Sequence, residues 1–200
     1  VDDQDRHAVR SFVLMRWLIL LLLLPWSGSF QAQDPVRWML QRSVVSFVSE
    51  APLERIEAEN TACSGVLDPT ARTFAIQVPI GEFEGFNAPL QREHFNENYL
   101  VSTTWPKATF VGRIIESVDL FAPGRFAVRA KGELTIRGVK RERIIPCDLV
   151  VAADGVRVTG VFDVAVDEHG IRIPRVVQQK IAAVVQVKVD LLFKRDELRR

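Results

Sequence analysis

Hydrophobic and polar residues alternate along most of this 200-residue chain. From Phe126 onward, Phe126, Val128, Ala130, Gly132, Leu134 and Ile136 fall on one side, with Arg129, Lys131, Glu133, Thr135 and Arg137 on the other. Successive side chains of an extended strand point to opposite faces, so a period of two marks a half-buried strand. Gly138 ends this run, and a second passes through Ile145, Cys147, Leu149 and Val151. Asp154-Gly155 predicts a hairpin turn, because both residues tolerate positive φ. Beyond it Val156, Val158, Gly160, Phe162, Val164 and Val166 share a face. Ala183, Val185, Val187, Val189, Leu191 and Phe193 repeat the pattern against Gln186, Lys188, Asp190 and Lys194. Earlier strands are less clean: Val45, Phe47 and Ser49 oppose Val44, Ser46 and Val48, and Thr73 to Val78 and Thr109 to Val118 follow, with Pro123-Gly124 as a turn.

The pattern predicts an all-β fold of about seven or eight strands, which can close as a barrel or stack as a sandwich. Gly112, Gly132 and Gly160 lie midway along long strands, where glycine permits the bends that closure requires. An antiparallel β-barrel is therefore expected. One stretch, Pro79 to Pro106, interrupts the strands and is dense in Phe, Asn, Glu and His. Asn87 or Ala88 is placed to cap a helix, Pro89 suits its first turn, and Leu90, His94 and Glu97 form a stripe beside Phe95 and Tyr99. The spacing predicts a short helix over 89–100 lying across one barrel end.

The first 33 residues fall outside this domain. Arg16 precedes an apolar run from Leu18 to Leu24, Pro25 closes it, and Ser27, Gly28, Ser29 and Ala32 offer cleavage sites, the layout of a secretory signal peptide. The run is less than half of the about 20 apolar residues that a transmembrane helix needs. Asp2, Asp3 and Asp5 suit the start of a signal poorly, so the physiological start is expected at Met15, with Val1 to Leu14 belonging to an over-extended reading frame. A precursor mass that includes those residues would contradict this. Residues 34–200 then form one mature domain, periplasmic or secreted and long enough to bury a core. Lys plus Arg number 26 against 25 acids, so no basic surface is available to release counterions from a nucleic acid, and no such partner is expected. Cys63 and Cys147 are the two cysteines. They would pair only with Cα atoms about 5.5 Å apart, and without C-x-x-C spacing they do not suggest a metal site.

Three segments, E-H-F-N-E-N-Y at 93–99, W-P-K-A-T-F-V-G-R-I at 105–114 and G-E-L-T-I-R-G-V at 132–139, together resemble the YceI-like family. In that family a strand opening on y-P-x-a-t-F runs into F-x-G or F-x-S, here Trp105 to Phe110 continuing through Val111 to Gly112. The element G-x-L-T-I-x-G-V appears as Gly132 to Val139, and Asp167 to Ile171 is similar to a D-x-x-G-I turn. The resemblance spans Ser43 to Phe193. It implies a lipocalin-like barrel in the periplasm, with a long apolar cavity for an isoprenoid chain, a quinone or another long amphiphile. Arg137 stands where His is usual, so no role of that His transfers.

By their residues alone, the inward side chains make an ordinary packed core, the default for an apolar interior. An eight-stranded barrel has room for side chains or for one small ligand, and Gly112, Ala130, Gly132 and Gly160 leave volume that larger residues would have filled. With the resemblance added, a cavity is favoured. Its expected lining is Phe47, Phe74, Ile76, Phe110, Ile114, Val128, Leu134, Phe162, Val187 and Leu191, with His94, Asn96 and Asn98 as a polar rim. The alternative is a filled barrel, a secreted interaction module acting through its loops and inserted helix.

Signals for chemistry are weak. Glu93, His94 and Glu97 lack the second histidine of a zinc-protease helix. His169 sits in a turn composition, and no G-x-S-x-G elbow accompanies it. Gly81 and Gly85 are isolated, unlike a phosphate-cradling loop. Arg175, Gln178, Gln179 and Lys180 either surround a ligand head group or simply solvate a loop. The expectation is a binding protein for a long-chain lipid, isoprenoid or quinone, without catalysis, metal or cofactor, with a homodimer left open.

Overall fold

Nine antiparallel strands make up one sheet among residues 36–195, which the computed structural model describes. The expected leader and the Met15 start lie outside these residues. The strands are β1 Trp38–Glu50, β2 Arg55–Asn60, β3 Ser64–Asp68, β4 Thr73–Pro79, β5 Lys107–Ile114, β6 Gly124–Ile136, β7 Val139–Ala152, β8 Gly155–Ala165 and β9 Val184–Arg195. β9 returns to pair with β1 from Trp38↔Arg195 to Val48↔Gln186, which closes the sheet.

β2 and β3 share one position in the barrel. Val45 faces Asn60 and Trp38 faces Leu67, so the register against β1 is the same on both sides of the break at 61–63. The result is a closed, lipocalin-like barrel of eight strand positions. Side chains satisfy the backbone groups that the break releases. Buried Asn60 donates Nδ2 to the Pro79 carbonyl at 2.7 Å and accepts from the Ala62 N–H at 2.9 Å. Ser43 Oγ donates to the Thr61 carbonyl at 3.1 Å and accepts from the Cys63 N–H at 3.2 Å.

The predicted strands β6 to β9 are present with the expected faces inward. β5 ends at Ile114 rather than Val118, because the Glu116 carboxylate takes the Arg129 N–H at 2.6 Å and Nε at 2.7 Å, ending the ladder. The β7–β8 hairpin turns at Ala153-Asp154, one residue before the predicted pair, since Ala152 faces Gly155. Gly155 belongs to the strand because β9 runs so close that a Cβ there would meet the Phe193 carbonyl. The turn with two positive φ values is Arg137-Gly138, at 50° and 73°, the primed geometry that matches strand twist.

Gly112 and Gly132 face each other across β5 and β6. A Cβ on Gly112 would lie 2.6 Å from the Gly132 Cα, and one on Gly132 would lie 2.9 Å from the Gly112 Cα. These glycines let two backbones approach as the barrel bends. They do not leave cavity volume, which corrects that part of the expectation. Cys63 and Cys147 are unpaired.

Strand direction separates the two ends of the barrel. The turn at 69–72, the connection 115–123 and the β7–β8 hairpin lie at one end. Fully buried Leu120 plugs this floor, near Trp38, Leu149, Val156 and Phe193, and Trp38 meets Phe121 edge-on at 5.9 Å. The 51–54 loop, the long 80–106 insertion, the Arg137-Gly138 turn and segment 166–183 lie at the other end. There the helix α1, Pro89–His94, continues into one π turn, Phe95–Tyr99. Ala88 is the N-cap, while Asn87 Nδ2 donates to the Arg55 carbonyl at 2.8 Å. The core cluster of the described residues runs from Trp38 to Phe193, so the barrel contains the burial it needs to fold as a unit.

Candidate functional site, an apolar cavity beneath a helical roof

Above the sealed floor the inward side chains do not fill the barrel. They surround a cavity of about 560 Å³, within the usual size of a ligand pocket. All ten predicted apolar residues line it: Phe47 on β1, Phe74 and Ile76 on β4, Phe110 and Ile114 on β5, Val128 and Leu134 on β6, Phe162 on β8, and Val187 and Leu191 on β9. Sequence reading missed most of the roof. Phe83, Phe86 and Phe95 gather on Phe47, whose ring stacks on Phe95 with centroids 5.4 Å apart and planes 11° from parallel. This cluster holds the insertion on the barrel. The density of Phe between 83 and 95 was its signal, but only Phe95 has helical spacing.

The polar groups at the mouth differ from those expected. His94 lines the cavity; Asn96 and Asn98 do not. Asn96 turns its amide back to donate to the Arg92 carbonyl at 2.9 Å, and Asn98 is exposed on the outside. The π turn explains the difference. Leu100 N–H bonds the Phe95 carbonyl five residues back, which widens the last turn and breaks the 3.6-residue stripe. In place of the asparagines, Glu54, Gln91 and Lys180 stand at the mouth. Gln91 Nε2 donates to Glu54 Oε1 at 2.5 Å, Leu53 N–H donates to the Gln179 carbonyl at 2.8 Å, and Ala182 N–H donates to buried Ser49 Oγ at 2.9 Å. These bonds join the 51–54 loop, α1 and segment 174–182 into one lip. Lys180 is thus a lining residue, one of the two readings left open for that stretch.

Segments 105–114, 132–139 and 167–171 also meet at this end. The Arg137 guanidinium lies 5.3 Å above the Trp105 ring and Nη1 donates to the Gly170 carbonyl. A Cβ on Gly138 would lie 2.5 Å from Trp105 Nε1, so glycine is required beneath the indole. His169 is fully buried behind this group, with Nδ1 3.2 Å from the Val139 carbonyl. Burial pushes its pKa below the usual histidine value, and the nearby Arg143 and Arg141 charges act the same way.

The cavity offers little for catalysis. Its thiol, Cys147, faces the lower half of the barrel, and burial, helped by the Asp148 charge, pushes its pKa up to about 11. Its imidazole, His94, is at the mouth. Among the described residues, no group of three His, Cys, Asp or Glu side chains is placed to hold a metal ion, and no helix is long and apolar enough to cross a membrane. The arrangement is suited to removing an apolar chain from water.

Comparison with known proteins agrees with this architecture. Residues 38–193 match the YceI-like domain. No curated protein matches the sequence. Among solved structures, a polyisoprenoid-binding domain from Saccharophagus degradans implicated in plant cell wall breakdown superposes with a TM-score of 0.69 at 14% identity, over 80% of this chain and 99% of that one. BcnA of Burkholderia cenocepacia gives 0.63 at 20% identity, over 75% and 95%. A YceI protein of Campylobacter jejuni gives 0.52 at 10% identity, over 66% and 78%. At such identities the likeness is one of fold. The domain match covers most of the chain, and with the closed barrel it establishes that this protein belongs to the YceI-like family.

Proposed function

We propose that the protein carries a long apolar amphiphile of polyisoprenoid, quinone or fatty-acyl type, in the periplasm or outside the cell, without chemistry on its cargo. The observation that carries this reading is the apolar cavity of about 560 Å³, lined by the inward faces of the strands and by residues of the helical insertion. At about 30 Å³ per methylene-sized group, it has room for roughly twenty chain carbons. A tail burying about 500 Å² would gain on the order of 12 kcal/mol, at about 25 cal/mol per Å², before the entropy of ordering it is subtracted. Glu54, Gln91, His94 and Lys180 would orient the head group at the mouth. The Saccharophagus neighbour, described as polyisoprenoid-binding, supports an isoprenoid as one candidate. The leader-like run from Leu18 to Leu24 supports export. The open volume disfavours a filled barrel that works through its loops alone.

The test is mass spectrometry of an organic extract of mature protein, purified without detergent from a periplasmic fraction. A stoichiometric long-chain amphiphile is the expected result. An empty extract, combined with no uptake of added long-chain lipids and no rise in Tm in their presence, would refute the carrier.

A further inference from the structure

Among the described residues, the three most exposed large apolar side chains are Val176, Leu53 and Leu90, at 90%, 66% and 56%. Scattered exposed aliphatics are ordinary, but these three stand on one lip. Leu53 lies in the loop tied to Gln179 by a backbone hydrogen bond. Leu90 precedes Gln91, which is bonded to Glu54 of the same loop. Val176 precedes Val177, which lines the cavity. Segment 171–183 also carries Arg172, Arg175 and Lys180 and no acid, and none of the three forms an ion pair with a described residue. The acids of this end are Glu54, which stands on the lip and accepts from Gln91; Glu82, Glu84, Glu93 and Glu97 of the helical insertion; and Asp167 and Glu168. Of these, Glu84 pairs with Arg92 and Glu168 with Arg143.

We infer that this lip docks on the surface of an anionic lipid bilayer. Leu53, Leu90 and Val176 dip among the acyl chains, while Arg172, Arg175 and Lys180 meet lipid phosphates. Two features favour a bilayer. The positive charge local to segment 171–183 complements anionic head groups, and the apolar lip is continuous with the cavity, which Leu90 and Val177 line. Leu120 is fully buried at the floor, so the mouth is the route assigned to an apolar tail, and docking lets it pass between bilayer and barrel without crossing water. The inference rests on the carrier reading for its purpose, but docking itself needs no cargo.

The experiment is flotation of a chain of residues 35–200, which contains the whole described core, with vesicles of phosphatidylcholine alone or mixed with phosphatidylglycerol. Binding to the mixed vesicles is expected, weakening with salt. Arg172→Ser with Arg175→Ser should lower it about fivefold per residue on mixed vesicles. Leu53→Ser with Val176→Ser should lower it by about tenfold or more on the same vesicles. Val111→Ser with Ile144→Ser, on the outer wall, should leave it unchanged. Absence of binding by the unaltered chain, or a Leu53/Val176 variant that binds as well as the wall variant, would overturn the inference. So would a dimer in sedimentation that dissociates on Leu53→Ser with Val176→Ser, which would assign the lip to a second copy. Because flotation is read on empty protein and the carrier reading on extracted lipid, either one fails without obscuring the other.

Discussion

Ala108 offers a direct test of whether the cavity is the binding site. It lies on β5 opposite Val78, points inward and lines the open volume. Ala108→Phe adds six carbon atoms there. At about 30 Å³ each they would occupy roughly a third of the space, displacing about four to six carbons of cargo. Each displaced methylene forfeits about 0.8 kcal/mol, so affinity should fall by about 3–5 kcal/mol, a factor of several hundred or more. Overpacking a filled core costs about 1–3 kcal/mol, but here the ring enters open volume, and the urea midpoint should scarcely move. Val111→Phe is the matched control. It adds a similar group on the same strand, but Val111 faces outward and is about half exposed. The assay is titration with a polyene fatty acid that fluoresces in apolar surroundings, alongside the rise in Tm on binding. If Ala108→Phe binds within about threefold of the parent, or Val111→Phe weakens binding equally, the cavity is not where the chain goes.

Three further outcomes follow from particular residues. Gly132→Ala places a Cβ 2.9 Å from the Gly112 Cα. Backbone yields less than side chains, so a loss of about 3 kcal/mol is expected from urea unfolding, and a neutral result would refute the close approach. For His169, burial lowers the folded pKa below the unfolded value of about 6.5, so the unfolded chain takes the proton first. Stability is therefore full above about pH 6.5 and declines as pH falls below it. Glu116, Asp154 and Asp190 are held low by Arg129, Lys194 and Arg157, and they act only near and below about pH 4. A His169→Gln variant should lose the slope between pH 7 and 5, and an unchanged slope would remove His169 as its source. Cys147, with a pKa of about 11, should be about one part in a thousand thiolate at pH 8 and react with iodoacetamide far more slowly than a free thiol. Peptide mass mapping reads this, and labelling at the free-thiol rate would contradict its burial.

Much of the barrel was legible because β6 to β9 each have one apolar and one charged face. β2 was not, since Arg55, Glu57 and Glu59 dominate a short strand whose other face holds Ile56, Ala58 and the polar Asn60. Its continuity with β3 depends on Asn60 and Ser43 across the break, which no periodicity reveals. The inward apolar set was legible too, but the same residues describe a packed core and a cavity wall equally well. What separates the two is whether opposite walls touch. Phe74 and Phe110, on neighbouring strands, approach to 5.0 Å, yet the interior keeps its open volume. The mouth was least legible. Glu54, Gln91 and Lys180 come from three distant segments and meet only in the folded chain, while Asn96 and Asn98 were misplaced by a π turn that a regular helical wheel does not anticipate.

This division has a consequence for cargo choice. Of the segments that announce the family, 105–114, 132–139 and 167–171 meet at Trp105, Arg137, Gly138 and Gly170, where they frame the mouth through a cation–ring contact, a carbonyl bond and a required glycine. They hold the barrel's upper rim, and Trp105, Arg137, Gly138 and Gly170 do not line the cavity. The residues that would meet a head group lie on the lip and in the roof, where the 93–99 segment supplies His94 and the helical insertion is held by Phe47, Phe83, Phe86 and Phe95. An apolar cluster of this kind tolerates changes in the polar residues beside it better than a hydrogen-bonded network does, because dispersion contacts demand volume rather than exact partners. Head-group preference should therefore follow Gln91 and His94 while the barrel stays intact. Gln91→Glu places a second carboxylate against Glu54, 2.5 Å from the present amide, and should shift uptake from acidic toward cationic amphiphiles at neutral pH. If the order of affinity for matched cationic and acidic chains is unchanged, the lip does not read the head group.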